Sequence, residues 1–160
     1  DNEWIYFVPA FQGLGATHWD SQARGMLIGL TRKTSRENIV RAAVESLAYQ
    51  VRDVIDAMQR AVARDVKLLR VDGGPCKNDF LMQFQANLLY RNLERPVISE
   101  TTALGAAAIS AITTGMWSRS SFSSLREVDR LFYPKGDREQ YEGYYARWQE
   151  AVERSRKWHR

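Results

Sequence analysis

Short apolar runs alternate along the chain with longer stretches in which apolar residues recur every three or four positions. The short runs are rich in β-branched and aromatic residues and are bounded by glycine or proline, which is typical of β-strands. They cover 4–8, 25–30, 67–71, 92–98 and 131–133. Because 4–8 and 25–30 flank one glycine-punctuated loop, we expect them to pair antiparallel. Pro96 cannot donate to a ladder, which predicts an edge position for 92–98.

The longer periodic stretches predict four helices. The longest begins at a capping-box pattern, Thr34 with Glu37 three residues later. Its apolar residues recur at helical spacing and are expected to face the core: Ile39, Ala43, Leu47, Val51, Val54, Met58 and Val62. The opposite face carries Arg41, Glu45, Arg52 and Asp56. The other helices are expected over 78–89, 103–114 and 138–158, whereas the serine-rich stretch 118–124 is expected to be a loop.

Strands and helices alternate along the chain, so the predicted fold class is α/β. The 160 residues, of which 44% are hydrophobic, fit a single domain over 1–160. A domain of this size buries roughly 70% of the surface of its unfolded chain. Charged residues make up 26% and aromatic residues 11% of the sequence. Both values are close to globular averages and exclude a disordered or fibrous chain.

Charge and cysteine content narrow the classes of partner. The formal net charge of +4 does not indicate a nucleic-acid partner, because lysines and arginines are interleaved with acidic residues over most of the chain. No apolar run approaches the ~20 residues that span a bilayer, so no membrane span is expected. Cys76 is the single cysteine, which favours a reducing, cytoplasmic location. No Cys/His cluster has metal-ligand spacing, and no metal-binding residues are expected.

The segment Asp72-Gly73-Gly74 stands between a predicted strand and a predicted helix. Glycines let a ligand approach the backbone, and the N-terminus of a helix favours phosphate groups. This arrangement therefore fits a nucleotide site. Spacing alone leaves a second interpretation open, in which the two glycines only supply unusual backbone dihedral angles in a strand-to-helix turn.

Four blocks of the chain resemble, in the same order, blocks of the glycerol kinases, which belong to the FGGY family of carbohydrate kinases. The blocks are FVPAFQGLGATHWDSQARG, GMLIGLTRKTSRENIVRAAVESLAYQVRDVIDAM, LRVDGGPCKNDFLMQFQANLL and ERPVISETTALGAAA. The stretch 25–45 also resembles the second signature of the wider sugar-kinase family. Among sugar kinases, the first and third blocks are more similar to the glycerol enzymes than to those for xylulose or other sugars.

The resemblance implies a ribonuclease-H-like (actin-like ATPase) domain with a mixed sheet flanked by helices. It implies the C-terminal, nucleotide-side domain of a kinase that phosphorylates glycerol to glycerol 3-phosphate with ATP and Mg²⁺. The N-terminal substrate domain, which in the family holds the catalytic base and the glycerol contacts, is absent from this chain. We therefore expect no catalytic residues here and no activity from the chain alone. The parent protein is expected to be a homo-oligomer.

In the family, the adenosine part of the nucleotide lies along the glycine turn. The resemblance therefore makes Gly73, Gly74 and Asn78 the residues that bind ATP or ADP. Asn78 could instead act only as a helix cap. Two positions depart from the family pattern: Pro75 stands where relatives carry a small residue, and Asp79 stands where a second asparagine is common. The negative charge of Asp79 would weaken nucleotide binding if it faced the site.

Two other functions stay open at this point. One is a kinase for another polyol or sugar on the same fold, because the residues that select the substrate belong to the N-terminal domain. The other is a noncatalytic nucleotide-binding or interaction module descended from such a kinase. Pro75 and Asp79 are the hints for this second alternative.

Overall fold

The computed structural model describes residues 3–62, 66–124 and 127–158. Strands and helices alternate within these ranges, as expected for an α/β chain. In chain order they are β1 (Tyr6–Val8), β2 (Met26–Ile28), α1 (Arg36–Val62), β3 (Leu68–Arg70), a 3₁₀ helix (Gly74–Lys77), α2 (Asp79–Leu89), β4 (Asn92–Pro96), α3 (Thr101–Thr113), α4 (Arg119–Ser124), β5 (Val128–Phe132) and α5 (Arg138–Ser155). None of the helices in the described part of the chain is both long and apolar enough to cross a membrane.

The first two strands form an antiparallel pair, as predicted. Tyr6 lies opposite Ile28 and Val8 lies opposite Met26. Tyr6 and Val8 are buried and point to the same side, because alternate residues of a strand share a face. The pair contributes to the core through this buried face, which packs on α1.

The second sheet is mixed and has the strand order β3-β4-β5. Strand β4 runs parallel to β3 and antiparallel to β5. The edge position predicted for β4 from Pro96 is therefore wrong. Pro96 is the last residue of the strand, and the register shifts between Arg95 and Pro96, so the proline disturbs the ladder only at its end.

Helix α1 begins one residue later than its sequence pattern indicates. Ser35 and Asn38 form the reciprocal pair at its start: the Ser35 N–H donates to Asn38 Oδ1 at 2.9 Å, and the Asn38 N–H donates to Ser35 Oγ at 3.3 Å. Thr34 Oγ1 instead accepts from the Thr31 N–H at 2.8 Å. The predicted capping box of Thr34 and Glu37 is therefore wrong, because Thr34 closes the preceding turn.

The face that α1 buries is also not the predicted one. The buried positions follow a helical spacing of their own: Ala42, Glu45, Ser46, Ala48, Tyr49, Asp53 and Ile55. Of the residues expected to face the core, five are exposed by more than a third: Ile39, Leu47, Val54, Met58 and Val62. Periodicity shows that a helix has an apolar face, but it does not show what covers that face. Here β1 and α2 pack on the other side.

Aromatic rings join α1, α2 and α5 in the core. Tyr49 of α1 stacks on Trp148 of α5 with a centroid distance of 5.2 Å, and Phe84 of α2 meets Tyr49 edge-on at 5.6 Å. Trp148 and Tyr49 are almost completely buried. Such pairs contribute dispersion in addition to the burial of their area. The C-terminal helix is thus an integral wall of the core.

Two helix predictions near the C-terminus need correction. Residues 119–124 form the short helix α4 where a loop was expected. The Trp117 ring stacks near Phe122, with centroids 6.4 Å apart, and this apolar contact supports a turn that the serine content alone does not predict. Helix α5 ends at Ser155 rather than at 158, because Arg156 at its C-cap is extended, with φ −74° and ψ 155°; Lys157 then follows with a positive φ of 52°.

Candidate functional site

The glycine turn follows β3 and leads into α2. Gly73 has φ 81° and ψ 176°, a conformation that a side chain would strain, and its N–H donates to the Ser99 carbonyl at 2.8 Å. An added Cβ on Gly74 would meet no atom within 4 Å. The turn is therefore fixed in place by Gly73 and open toward its surroundings at Gly74. The binding of a ligand close to this backbone stays a prediction, and the open space at Gly74 is compatible with it.

Pro75 is the second residue of the 3₁₀ helix, where its fixed φ and missing N–H are tolerated. The helix is closed by two backbone bonds, from the Cys76 N–H to the Gly73 carbonyl at 3.2 Å and from the Asn78 N–H to the Pro75 carbonyl at 3.1 Å. Cys76 is buried beneath this turn, and burial raises the pKa of its thiol. The cysteine is a packing residue here, not a nucleophile.

Asn78 occupies the N-cap position of α2. Its Oδ1 accepts from the Leu81 N–H at 3.1 Å, so the capping role considered for it is real. The cap uses the Oδ1 atom of the side-chain amide, and the Nδ2 group takes no part in it. Asn78 is exposed and stands four residues after Gly74 at the end of the same turn. The structure thus brings Gly73, Gly74 and Asn78 together.

The negative charge of Asp79 is balanced by two arginines. Arg95 Nη1 donates to Asp79 Oδ1 at 2.8 Å, and Arg130 Nη1 donates to Asp79 Oδ2 at 2.5 Å. The hydrogen bond from Arg95 holds the pKa of the Asp79 carboxyl below its usual range, and the charge of Arg130 acts in the same direction. Both oxygens of this carboxylate are engaged with the side chains of the sheet. Asp79 is therefore not a lone charge beside the glycine turn.

Arg95 is a residue of this site that sequence reasoning missed. Besides Asp79, its guanidinium donates to the Cys76 carbonyl at 2.9 Å and to Asp129 Oδ2 at 2.6 Å. Three elements, the 3₁₀ helix, the start of α2 and β5, are thus held by one side chain of β4. Arg95 reaches these partners because β4 pairs with β5, which places Arg95 opposite Arg130. No residue spacing in the sequence indicates this pairing.

A cavity of about 460 Å³ opens beside the turn. Its walls come from β3 and β4 and from α3 and α4, and they combine apolar side chains such as Leu104 and Phe122 with the charged Arg70 and Glu94. Asp72 belongs to both the cavity and the turn, and its carboxylate accepts a hydrogen bond from the Thr101 hydroxyl at the start of α3. The three residues predicted to bind nucleotide do not line the cavity. The turn and the cavity are neighbours that share one residue.

No group of three or more histidine, cysteine, aspartate or glutamate residues that could hold a metal ion is present in 3–62, 66–124 and 127–158. The glycine turn itself offers backbone groups and one carboxamide. A divalent cation at this turn would therefore depend on ligands that it brings with it, such as phosphate oxygens.

Comparison with known proteins gives the family. The model of the C-terminal domain of the FGGY family of carbohydrate kinases matches residues 1–114. The chain belongs to this family. Glycerol kinase 2 of Thermotoga maritima is 52% identical over 159 residues, which are 99% of this chain and 32% of that relative. The glycerol kinase of Aquifex aeolicus is 51% identical over 98% of this chain and 32% of its own length. The FGGY chain therefore spans about a third of these curated relatives.

Solved structures confirm the predicted fold of this FGGY chain. The crystal structure of Plasmodium falciparum glycerol kinase with ADP superposes with a TM-score of 0.84 and 35% identity, over 97% of this chain and 31% of that one. A ligand-bound xylulose kinase from Lactobacillus acidophilus gives a TM-score of 0.76 at 22% identity, which supports the fold alone. The expected actin-like α/β fold and the membership in the FGGY family are both confirmed.

Proposed function

We propose that this FGGY chain is the C-terminal, nucleotide-side part of a glycerol kinase, which transfers the γ-phosphoryl group of ATP to glycerol. The observation that carries the proposal is the identity of 51–52% to curated glycerol kinases over almost the whole chain. The adenine nucleotide present in the Plasmodium falciparum relative supports the same reading. The proposal includes a cytoplasmic location, which the single cysteine favours.

In this proposal the glycine turn binds the nucleotide along its backbone. Gly74 carries no side chain that would keep a ribose or an α-phosphate at a distance, and the positive φ of Gly73, which glycine adopts without strain, shapes the turn. Asn78 donates Nδ2 to the nucleotide while its Oδ1 caps α2. Mg²⁺ on the nucleotide would neutralise phosphate charge. Catalysis of phosphoryl transfer rests on positioning and charge stabilisation, which this turn supplies only in part.

The test is isothermal titration of Mg-ADP into the chain and into two variants. We expect weak binding to the wild-type chain and at least a tenfold loss in Gly74→Val, because the new side chain projects into the open space that the ligand needs. We expect a similar loss in Asn78→Ser. Serine is a good N-cap, so this variant keeps the helix and removes only the amide donor.

Asn78→Ala is the matched control for the cap. It loses both the cap and the amide, and we expect it to lower stability by about 1 kcal/mol relative to Asn78→Ser. Equal ADP affinity in the wild type, Gly74→Val and Asn78→Ser would show that nucleotide does not lie along this turn. That result would favour the noncatalytic alternative. Of the two residues that suggested this alternative only Pro75 still does so, because Asp79 is paired with Arg95 and Arg130.

A kinase for another polyol or sugar is the alternative within the family. A substrate panel on a longer protein that includes this chain separates the two, and glycerol is the substrate we expect to be preferred. The expectation that the parent is a homo-oligomer stays a prediction.

A further inference from the structure

The two ends of the glycine turn are held in place by different kinds of contact. On the side of β3, the backbone fixes the turn, because the Gly73 N–H donates to the Ser99 carbonyl at 2.8 Å. On the side of α2, a side chain joins the 3₁₀ helix to β4: Arg95 Nη1 donates to the Cys76 carbonyl at 2.9 Å. A single substitution can therefore remove the second anchor and leave the first intact.

Arg95 is itself held on several sides. Its side chain is only 13% exposed. Its Nε donates to Asp129 Oδ2 at 2.6 Å, and its Nη1 also donates to Asp79 Oδ1 at 2.8 Å. The guanidinium lies over the Phe132 ring, 5.3 Å from the centroid. Because a planar guanidinium is preorganised, it loses little conformational freedom for each hydrogen bond that it makes. Arg95 is thus a rigid support for the Cys76 carbonyl.

The Cys76 peptide lies between the two groups that would bind the nucleotide. Gly74 stands two residues before Cys76, and Asn78 stands two residues after it. A movement of the 3₁₀ helix would change the distance between the open backbone at Gly74 and the amide of Asn78. Groups that bind one ligand together lose affinity when their spacing is not fixed in advance.

We infer that Arg95 is a positioning residue for the nucleotide, which sets the spacing of Gly74 and Asn78 through its hydrogen bond to the Cys76 carbonyl. The inference rests on the proposed function, because it takes the glycine turn as the nucleotide site. Arg95 acts on the turn rather than on the ligand. Without its guanidinium, the 3₁₀ helix is free to move away from β4 while the core of the chain stays folded.

Arg130 on the neighbouring strand provides a matched control. It also donates to Asp79, and its guanidinium lies 5.0 Å from the centroid of the same Phe132 ring. Among the hydrogen bonds between described residues, none joins Arg130 to the 3₁₀ helix. Arg95→Met and Arg130→Met each remove one positive charge and one partner of Asp79. Only Arg95→Met removes the donor to the Cys76 carbonyl.

The first measurement uses the thiol of Cys76, the single cysteine, as a reporter of the turn. Cys76 is 1% exposed, so it reacts with dithionitrobenzoate only when the structure around it opens. We expect a reaction about tenfold faster in Arg95→Met than in the wild type, and an unchanged rate in Arg130→Met. Burial raises the pKa of this thiol and the charge of Arg95 acts against it, so loss of that charge alone would slow the reaction.

The dependence of this rate on urea separates opening of the turn from unfolding of the whole chain. Unfolding exposes much more surface than a local opening, and its free energy therefore falls more steeply with urea. We expect the rate in Arg95→Met to be nearly constant at low urea. A rate that rises steeply there would assign Arg95 to overall stability and overturn the inference.

The second measurement is titration of Mg-ADP into the same variants. We expect about tenfold weaker binding to Arg95→Met and wild-type affinity in Arg130→Met. Arg95→Lys should be intermediate, since it restores the charge and a donor but not the planar fork. Wild-type affinity in Arg95→Met, together with a loss in Gly74→Val, would overturn the inference and leave the nucleotide site in place. Equal losses in Arg95→Met and Arg130→Met would also overturn it, because charge would then be the cause. No binding of ADP to the wild type would overturn both the inference and the proposed site.

Discussion

Asp20 joins the first loop of the described chain to its C-terminal end. Its Oδ1 accepts from the N–H groups of Gln22 and Ala23 at 2.8 and 3.1 Å, and its Oδ2 accepts from the Lys157 N–H at 3.0 Å. Desolvation acts to raise the pKa of this carboxyl, but the backbone donors together outweigh it and hold the pKa below its usual range. Arg156 nearby acts in the same direction. The folded chain therefore stabilises the ionised form of Asp20.

This arrangement predicts how acid affects stability. A carboxyl whose pKa is lower in the folded state contributes stability above its unfolded pKa of about 3.9 and loses that contribution as pH falls through the folded value. We expect Asp20→Asn to be less stable than the wild type at pH 7 and to show a weaker loss of stability below pH ~4. Urea unfolding between pH 2.5 and 7 measures both. If the free energy of unfolding changes with pH in the same way in both proteins, ionised Asp20 does not stabilise the fold.

At the scale of elements, Asp53 connects the first loop, α1 and α5. The Tyr145 hydroxyl donates to Asp53 Oδ1 at 2.5 Å, Trp148 Nε1 donates to Oδ2 at 3.0 Å, and His18 Nε2 lies 3.5 Å from Oδ2. A buried carboxylate is costly unless its oxygens are hydrogen-bonded. The two donors of α5 therefore fix that helix on α1 in one rotation, next to the stack of Tyr49 on Trp148.

Removing one of these donors should loosen the contact between the two helices. We expect Tyr145→Phe to lower the free energy of unfolding by about 1–3 kcal/mol, because it leaves a buried oxygen of Asp53 with one donor fewer. Tyr144→Phe is the control, since its hydroxyl has no hydrogen bond to a described residue, and its effect should stay within about 0.5 kcal/mol. Denaturant unfolding at pH 7 measures the free energy of unfolding of both variants. Similar losses of stability in both variants would show that the loss in Tyr145→Phe does not come from its hydrogen bond to Asp53.

At the scale of the whole molecule, the chain spans about a third of its curated relatives. Phosphoryl transfer needs the acceptor, the nucleotide and the charge-stabilising groups held in line. In our proposal the glycine turn holds one of these, the nucleotide. The parts that would close over it come from outside this chain in our proposal, which makes the complete activity a property of the longer protein.

We therefore expect no glycerol-dependent ATP turnover from the chain alone. A coupled assay for ADP release, with and without glycerol and with Mg²⁺ present, tests this. The intact Thermotoga maritima relative serves as the positive control. Turnover that depends on both glycerol and the chain, and that is lost in Gly74→Val, would show that this third of the protein contains a complete site.

Except for α4, where a loop was expected, the sequence predicts the order of strands and helices, because each of these elements carries its own periodicity. It also predicts the glycine turn, since Gly73 needs a backbone conformation that few other residues adopt. The buried side of α1 could not be predicted, because apolar spacing does not say which neighbour covers it. Arg95 was missed for a related reason. Its contacts with Asp79 and Asp129 depend on how β4 pairs with β5, which is a relation between distant segments.

The position of α5 in the core has a consequence for where this protein can be divided. The family model ends at residue 114, whereas the ring that covers Tyr49 and the donors that satisfy Asp53 come from Tyr145 and Trp148. A polypeptide cut after 114 would keep every residue of the glycine turn and still expose an aromatic surface and a bare carboxylate. The segment that the family model matches is thus shorter than the segment that builds this core, because α5 lies beyond residue 114.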